Sequence, residues 1–251
     1  MAAQNRLVYT LRLADDALIL GQRTAEWCSR GPFLEEDIAL SNVALDLIGR
    51  ARLLYTYAAE QQGEGYTEDD YAYLRGAPDF QNCLMFELPR GDFAFSIVRQ
   101  WFVDIYENRF FEQLQQSEDS TLAAIAEKTI KECRYHLRRS RQWVIRLGDG
   151  TEESHQRVID ALNTLWPYTA ELFELDSTEQ DLLTENIAVA RDALKQDWLV
   201  EVRTTLNEAT LSLPDTAEQH TGGRTGQHTE HLAPLLEEMQ SLHRAHPGVT
   251  W

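Results

Sequence analysis

The chain has few of the residues that build cross-linked or metal-clustered small folds. Its 251 residues include only three cysteines, Cys28, Cys83 and Cys133, which lie far apart and form no Cys-x-x-Cys pair. This spacing argues against a zinc knuckle, an iron–sulfur site or a disulfide framework. The chain is long enough to bury a large hydrophobic core instead.

Basic residues and long apolar runs are also scarce. Lys and Arg total 23 against 41 Asp and Glu, which gives a net charge of −18. A field of this sign repels nucleic acid and anionic membranes, so we expect neither as a partner. No apolar run approaches the roughly 18 residues of a membrane span, and the first residues lack the apolar stretch of a signal peptide. The sequence therefore predicts a cytoplasmic location.

Seven prolines and thirteen glycines fall between long segments of helical periodicity. These segments predict helices at 7–29, 34–62, 92–116, 120–147, 151–173 and 229–246, with one or two more in 182–213. No alternating strand pattern, repeat or linker occurs. We predict a single all-α domain over residues 1–251, built as a four-helix bundle with additional helices.

The second predicted helix carries the strongest core signal. Apolar residues occupy nearly every side of it between positions 38 and 54. A helix that is apolar all round is normally buried. The sequence therefore predicts that this helix lies inside the bundle.

Four ionisable residues interrupt the apolar stripes of the four long helices: Asp16, Asp46, Asp104 and His136. Ferritin-like di-iron bundles have such a layout, in which two helices each give a carboxylate and two each give a Glu-x-x-His. Asp16 and Asp46 are 30 residues apart, and Asp104 and Cys133 are 29 apart. We therefore expect each hairpin to bring its two positions to similar depth.

The ligand set at these positions is incomplete. Gly49 stands where a histidine would follow Asp46, and Cys133 stands where a glutamate would precede His136. Three aspartates and one imidazole do not make the usual cage for two irons, so we predict vestigial ligand positions and no bound cofactor. Polar contacts would then fill the site, because a buried unpaired charge is costly.

Specific partners can be suggested for two of the acids. Asp46 would pair with Arg50 or Asn42, and Asp104 with His136 or an arginine of segment 134–141. The four arginines of that segment predict a solvated helix face that could also receive an acidic partner. The glycine-rich stretch 222–226 predicts a plain loop, and His228 and His231 predict cap and surface roles.

Several long motifs resemble one known family. They are 9–16 (YTLRLADD), 38–52 (IALSNVALDLIGRAR), 130–138 (IKECRYHLR), 226–232 (GQHTEHL), 238–240 (EMQ) and the closing 247–251 (PGVTW). Together they are similar to the structural, non-catalytic subunits of bacterial phenylacetyl-CoA epoxidase, also called the ring 1,2-phenylacetyl-CoA monooxygenase. The resemblance runs along essentially the whole chain.

The resemblance implies a ferritin-like fold and a role in aerobic phenylacetate degradation. It implies a homologous catalytic partner that holds the di-iron centre, a small accessory subunit, and a reductase carrying flavin and a [2Fe–2S] cluster. In that family the structural subunit has altered ligand positions, in agreement with Gly49 and Cys133 here. The aromatic side chains of the first three helices are the first place to expect the interface: Tyr55, Tyr57, Tyr71, Tyr73, Phe93, Phe95, Phe102 and Phe110.

Two alternatives stay open from the sequence. The chain could itself be a metal-binding, catalytic oxygenase subunit, or it could be an all-α scaffold unrelated to any oxygenase. Metal content would test the first alternative, and co-purification with an oxygenase partner would test the second.

Overall fold

The chain is helical and without strands in the part that the computed structural model describes, residues 2–247 and 249. Its α-helices are α1 (Ala2–Ala25), α2 (Leu34–Gln62), α3 (Leu84–Glu87), α4 (Phe93–Leu114), α5 (Ser120–Gly148), α6 (Glu152–Leu165), α7 (Ser177–Thr184), α8 (Arg191–Glu208) and α9 (Leu232–Ala245). The predicted all-α class is confirmed, and the arrangement is consistent with a ferritin-like bundle. Of the closing motif 247–251, residues 248, 250 and 251 lie outside the described residues.

Two of the long helices, α4 and α5, begin at capping residues. The Asp92 carboxylate accepts from the Phe95 amide at the start of α4, and the Asp119 carboxylate accepts from the Thr121 and Leu122 amides at the start of α5. The predicted helix 151–173 is shorter than expected, since α6 ends at Leu165 and a 3-10 segment continues over Trp166–Phe173. Pro167 lacks the amide that an α-helix would need there.

Two antiparallel hairpins form the bundle. α1 packs along α2, α4 packs along α5, and the contact between α2 and α5 joins the hairpins. α6 and α8 cover α4 and α5, α7 lies against α1, and α9 packs on the π-helical turn Asp70–Leu74. One hydrophobic core runs through these elements from Leu7 to Leu236. The single domain over residues 1–251 stays a prediction.

The most enclosed helix is α4, not α2. Every residue from 96 to 107 is buried, because α5, α6 and α8 surround α4. In contrast, α2 leaves Ile38, Leu45 and Leu53 exposed. The prediction that α2 is buried on all sides is therefore wrong for the isolated chain.

None of the helices in the described residues combines the length and apolarity that a membrane span requires.

Candidate functional site

A buried ion pair lies where the hairpins meet. The Arg50 guanidinium of α2 donates from Nη1 to Glu107 Oε1 of α4 over 2.7 Å, and its Cζ lies 4.8 Å from the centre of the Phe111 ring. Burial lowers the pKa of Arg50, but the acidic groups around it, Glu107 foremost, together raise it by more, so the pKa lies above its ordinary value. The centre of the bundle thus holds a permanent positive charge.

Cys133 of α5 lies against this ion pair. Its Sγ is 3.7 Å from Glu107 Oε2 and 3.9 Å from Arg50 Nη2. Burial raises the pKa of the Cys133 thiol well above its ordinary value. The sulfur is therefore a protonated thiol that donates to Glu107, and a metal ligand would need the thiolate.

Asp104 is fully buried one turn before Glu107 on α4. Its carboxylate accepts from Gln100 Nε2 over 2.7 Å and from Ser140 Oγ over 2.6 Å. Burial raises the pKa of Asp104 to about 6, against smaller lowering effects of His136 and the two hydrogen bonds. The predicted pairing of Asp104 with His136 or an arginine is wrong: neutral donors satisfy it.

Asp46 and His136 join α2 to α5. The His136 Nε2–H donates to Asp46 Oδ2 over 2.9 Å, and the predicted pairing of Asp46 with Arg50 or Asn42 is wrong. His136 is buried, whereas 37% of the Asp46 side chain is exposed. His136 Nδ1 has no hydrogen-bond partner among the described residues.

Asp16 does not reach this cluster. Gly21 packs against Leu47 and Ile48, whereas Asp15 accepts a hydrogen bond from Tyr55. Asp16 therefore lies level with Tyr55, roughly two helical turns or about 12 Å along the bundle from Asp46. The expectation of similar depth from the 30-residue spacing was wrong, because the loop between α1 and α2 is not symmetric about the two positions.

The Asp16 carboxylate instead belongs to a separate cluster, further along α1 from the loop between α1 and α2. It accepts from Arg224 Nη2 over 2.6 Å and from the Cys83 amide over 2.8 Å. Burial raises the pKa of Asp16, and the Arg224 charge opposes that rise. Asp16 thus anchors the glycine-rich loop that carries Arg224.

Two iron ions do not fit the residues at the bundle centre. Gly49, which stands where a histidine ligand was expected, does not face the bundle centre, because a Cβ built there would meet no atom within 4 Å. The Arg50 cation already occupies one Glu107 oxygen and would repel a metal cation. His136 Nδ1 has no partner among the described residues, but one imidazole and the partly exposed Asp46 carboxylate do not make a cage for two metal ions.

The sequence reasoning missed Glu107. Asp104 interrupts the apolar stripe of α4, and Glu107 lies three residues after Asp104 and four before Phe111. The i, i+3 and i, i+4 spacings put Glu107 on the same face. This spacing predicts an inward-facing Glu107, which could pair with Arg50.

The remaining motifs have structural roles. The Glu171 carboxylate accepts from the Gly222 and Gly223 amides, and His228 donates to Glu87 Oε2 over 2.8 Å and to the Phe80 carbonyl over 2.9 Å. Burial lowers the pKa of His228, but its partners outweigh burial and raise it above the ordinary value. The His228 side chain is only 5% exposed, so it is not the surface residue that we predicted.

The aromatic residues expected at an interface are mostly core residues. Tyr55, Tyr71, Phe102 and Phe110 are buried in the hydrophobic core. The other four, Tyr57, Tyr73, Phe93 and Phe95, are partly buried and pack against that core. They do not form a free aromatic surface.

Comparison with known proteins places this architecture in a family. Residues 1–251 match the family described as phenylacetic acid catabolic protein. The chain belongs to the phenylacetic acid catabolic protein family. It is also similar to one subunit of the 1,2-phenylacetyl-CoA epoxidase of Escherichia coli (strain K12), the subunit designated C, with 50% identity over 243 residues, which cover 97% of this chain and 98% of that protein. The resemblance stated from the sequence motifs is thereby confirmed.

Membership of the phenylacetic acid catabolic protein family agrees with the bundle but does not by itself give this chain a role. The similarity extends over nearly the full length of both proteins, so it includes the four long helices and the loop around Arg224.

Proposed function

We propose that this chain is the structural, non-catalytic subunit of a multicomponent di-iron phenylacetyl-CoA ring 1,2-epoxidase, and that it acts in aerobic phenylacetate degradation in the cytoplasm. One observation carries the proposal: the Arg50–Glu107 ion pair, with the neutral Cys133 thiol beside it, lies where a catalytic homologue would converge its metal ligands. The similarity to a subunit of the Escherichia coli epoxidase supports the assignment to phenylacetate degradation.

The proposed task of the chain is to pack against a homologous catalytic subunit. That partner holds the di-iron centre, and a small accessory subunit and a flavin and [2Fe–2S] reductase complete the complex. Within this chain, Arg50, Glu107, Asp104 and His136 replace metal coordination by hydrogen bonds between α2, α4 and α5. They keep these three helices in ferritin-like positions without iron.

The test is co-expression with the catalytic homologue, followed by separation of the chains and metal analysis of each. We expect a stable complex, about two irons in each catalytic chain and no stoichiometric iron in this one. Two tightly bound irons in this chain would make it a catalytic oxygenase subunit. Failure to form a complex would leave it an unrelated scaffold.

The activity assay separates a structural role from mere association. We expect NADPH-dependent epoxidation by the reconstituted complex and none when this chain is omitted. An Arg50→Lys variant keeps the buried positive charge, so complexes that contain it should retain epoxidation. Full activity of the catalytic subunit and reductase without this chain would overturn the proposal.

A further inference from the structure

Four large apolar side chains on the outward side of α2 are left exposed by the part of the chain that the structure describes. Leu34, Ile38 and Leu45 are 70%, 52% and 67% exposed, and Leu53 follows two turns later. Their spacings of four, seven and eight residues put them on one side of the helix, which we call the α2 stripe. Large apolar side chains grouped in this way on a surface mark an interaction site.

The sequence of α2 supports the same conclusion independently. Residues 38–54 are apolar nearly all round, a pattern of helices that are buried on every side. The bundle covers only one side of α2, through α1 and α5. The mismatch between pattern and burial disappears if a second protein covers the α2 stripe. Gly49 lies between Leu45 and Leu53 and leaves open space for a close approach.

Basic residues of α5 flank this stripe. The Asp46–His136 hydrogen bond and the Arg139–Glu36 ion pair fix α5 beside α2. Six basic residues and one acidic residue occupy positions 128–141, although the chain as a whole has 23 basic and 41 acidic residues. Four of the six are exposed. Arg134 pairs with Glu112 of α4, and we call the other three the α5 flank: Lys128, Lys131 and Arg138.

We propose that the α2 stripe and the α5 flank together form the docking surface for the catalytic subunit, through a partner helix face that is apolar with an acidic rim; this assignment rests on the proposed function. An apolar centre with a charged rim is the usual composition of a protein interface. The basic rim selects an acidic partner by charge complementarity. A second copy of this chain fits poorly, because a two-fold contact would bring the same basic residues together and each copy carries a net charge of −18.

The stripe is tested with the catalytic subunit immobilised and this chain in solution. The variant Ile38→Gln/Leu45→Gln removes apolar surface but keeps good helix formers and the net charge. Its matched control is Val200→Gln/Leu242→Gln, which changes two equally exposed apolar residues of α8 and α9. We expect the α2 variant to bind at least about tenfold more weakly and the control to bind like the wild type. Unchanged circular dichroism and melting temperature verify folding.

The flank is tested by charge reversal. We expect Lys131→Glu/Arg138→Glu to slow association by about tenfold at low salt, with the difference shrinking as salt rises. Arg203→Glu, an exposed position on α8, is the control.

The outcomes separate the two proposals. A wild-type chain without affinity for the catalytic subunit overturns the proposed function and this surface with it. If the wild type binds and the Gln variant binds equally well, the proposed docking surface is wrong but the proposed function stands. If charge reversal weakens binding but the Gln variant does not, α5 binds an anionic ligand. That result also overturns the docking surface.

Discussion

Buried charges at the bundle centre are each satisfied in a different way. Arg50 and Glu107 neutralise each other, Asp104 takes neutral donors and a raised pKa, and Asp46 reaches solvent beside His136. An isolated buried charge costs several kcal/mol, so each of these arrangements depends on its partner. Removing one partner of a buried ion pair should therefore lower the free energy of unfolding by more than removing both partners.

Arg50→Met is expected to destabilise the chain by about 3–5 kcal/mol, because it leaves Glu107 as an unpaired buried carboxylate. The measurement is the free energy of unfolding in urea, followed by helical circular dichroism. In the double variant Arg50→Met/Glu107→Met the unpaired charge is absent, and most of the loss should be recovered. If the double variant loses as much free energy of unfolding as the two single variants together, Arg50 and Glu107 do not stabilise each other.

Asp104 makes stability depend on pH. Its pKa is about 6 in the folded chain and about 4 when unfolded, so the folded state binds the extra proton between these values. The contribution of this group is most favourable below pH 4 and is lost as the pH rises through 6, by about 2–3 kcal/mol.

Asp104→Asn isolates this effect, since the amide does not titrate, its oxygen can accept from Gln100 and its NH2 group can donate to the Ser140 hydroxyl. We expect the stability difference, wild type minus variant, to fall by about 2–3 kcal/mol between pH 4 and pH 7. Unfolding free energies of both proteins at each pH give that difference, and the other titrating groups cancel in it. A difference that does not change with pH would place the pKa of Asp104 near its ordinary value.

At the scale of the element, α2 combines a packed side with an unpacked one. Gly21 of α1 lies against Leu47 and Ile48 of α2, and a Cβ at Gly21 would come within 3.0 Å of Ile48. Gly49, one residue further along α2, faces open space. A glycine inside a helix costs about 0.5–1 kcal/mol relative to alanine unless close packing requires it. Gly49 therefore has no stabilising role in the isolated chain.

Gly49→Ala is expected to raise the free energy of unfolding of the isolated chain by about 0.5–1 kcal/mol. Gly148→Ala is the opposite case, because its Cβ would lie 2.6 Å from the Ala209 carbonyl oxygen where α5 meets the end of α8. That variant should be destabilised. Thermal unfolding of both variants beside the wild type gives the comparison, and a loss in the Gly49 variant would show a contact on the outer face of α2.

The helices were predictable because their signals are local. Proline and glycine positions and the caps Asp92 and Asp119 place most ends within a few residues. The site was less predictable, because register between helices depends on how the connecting loops close. The loop between α1 and α2 sets Asp16 two turns from Asp46, and no spacing in the sequence encodes that offset. Periodicity alone also could not say which side of α2 the chain itself would cover.

At the scale of the whole molecule, arginines tie distant parts of the chain to α1. Arg12 of α1 pairs with Asp176 at 2.5 Å, next to α7, and Arg224 of the glycine-rich loop pairs with Asp16 at 2.6 Å. Arg224 also donates to the Gln81 carbonyl over 2.8 Å. The residues between α8 and α9 form no long helix, so these contacts hold that stretch against the bundle.

Arg224→Met should release this stretch. We expect a loss of about 3–5 kcal/mol, because Asp16 stays buried without its partner, and faster hydrogen exchange and proteolysis in 214–230 than in α4. Asp16→Asn combined with Arg224→Met should recover much of the stability while the stretch still exchanges quickly. Equal protection of 214–230 in the single variant and the wild type would show that Arg224 does not hold it.

The positive charge of Arg50 at the bundle centre is part of the covalent chain. No chelator can extract a guanidinium, and no reductant can change its valence. The contribution of the Arg50–Glu107 pair to folding is therefore the same in iron-poor and iron-rich cells, and under air or without oxygen. A newly made copy gains it as soon as α2 and α4 pack together, before any metal has been delivered.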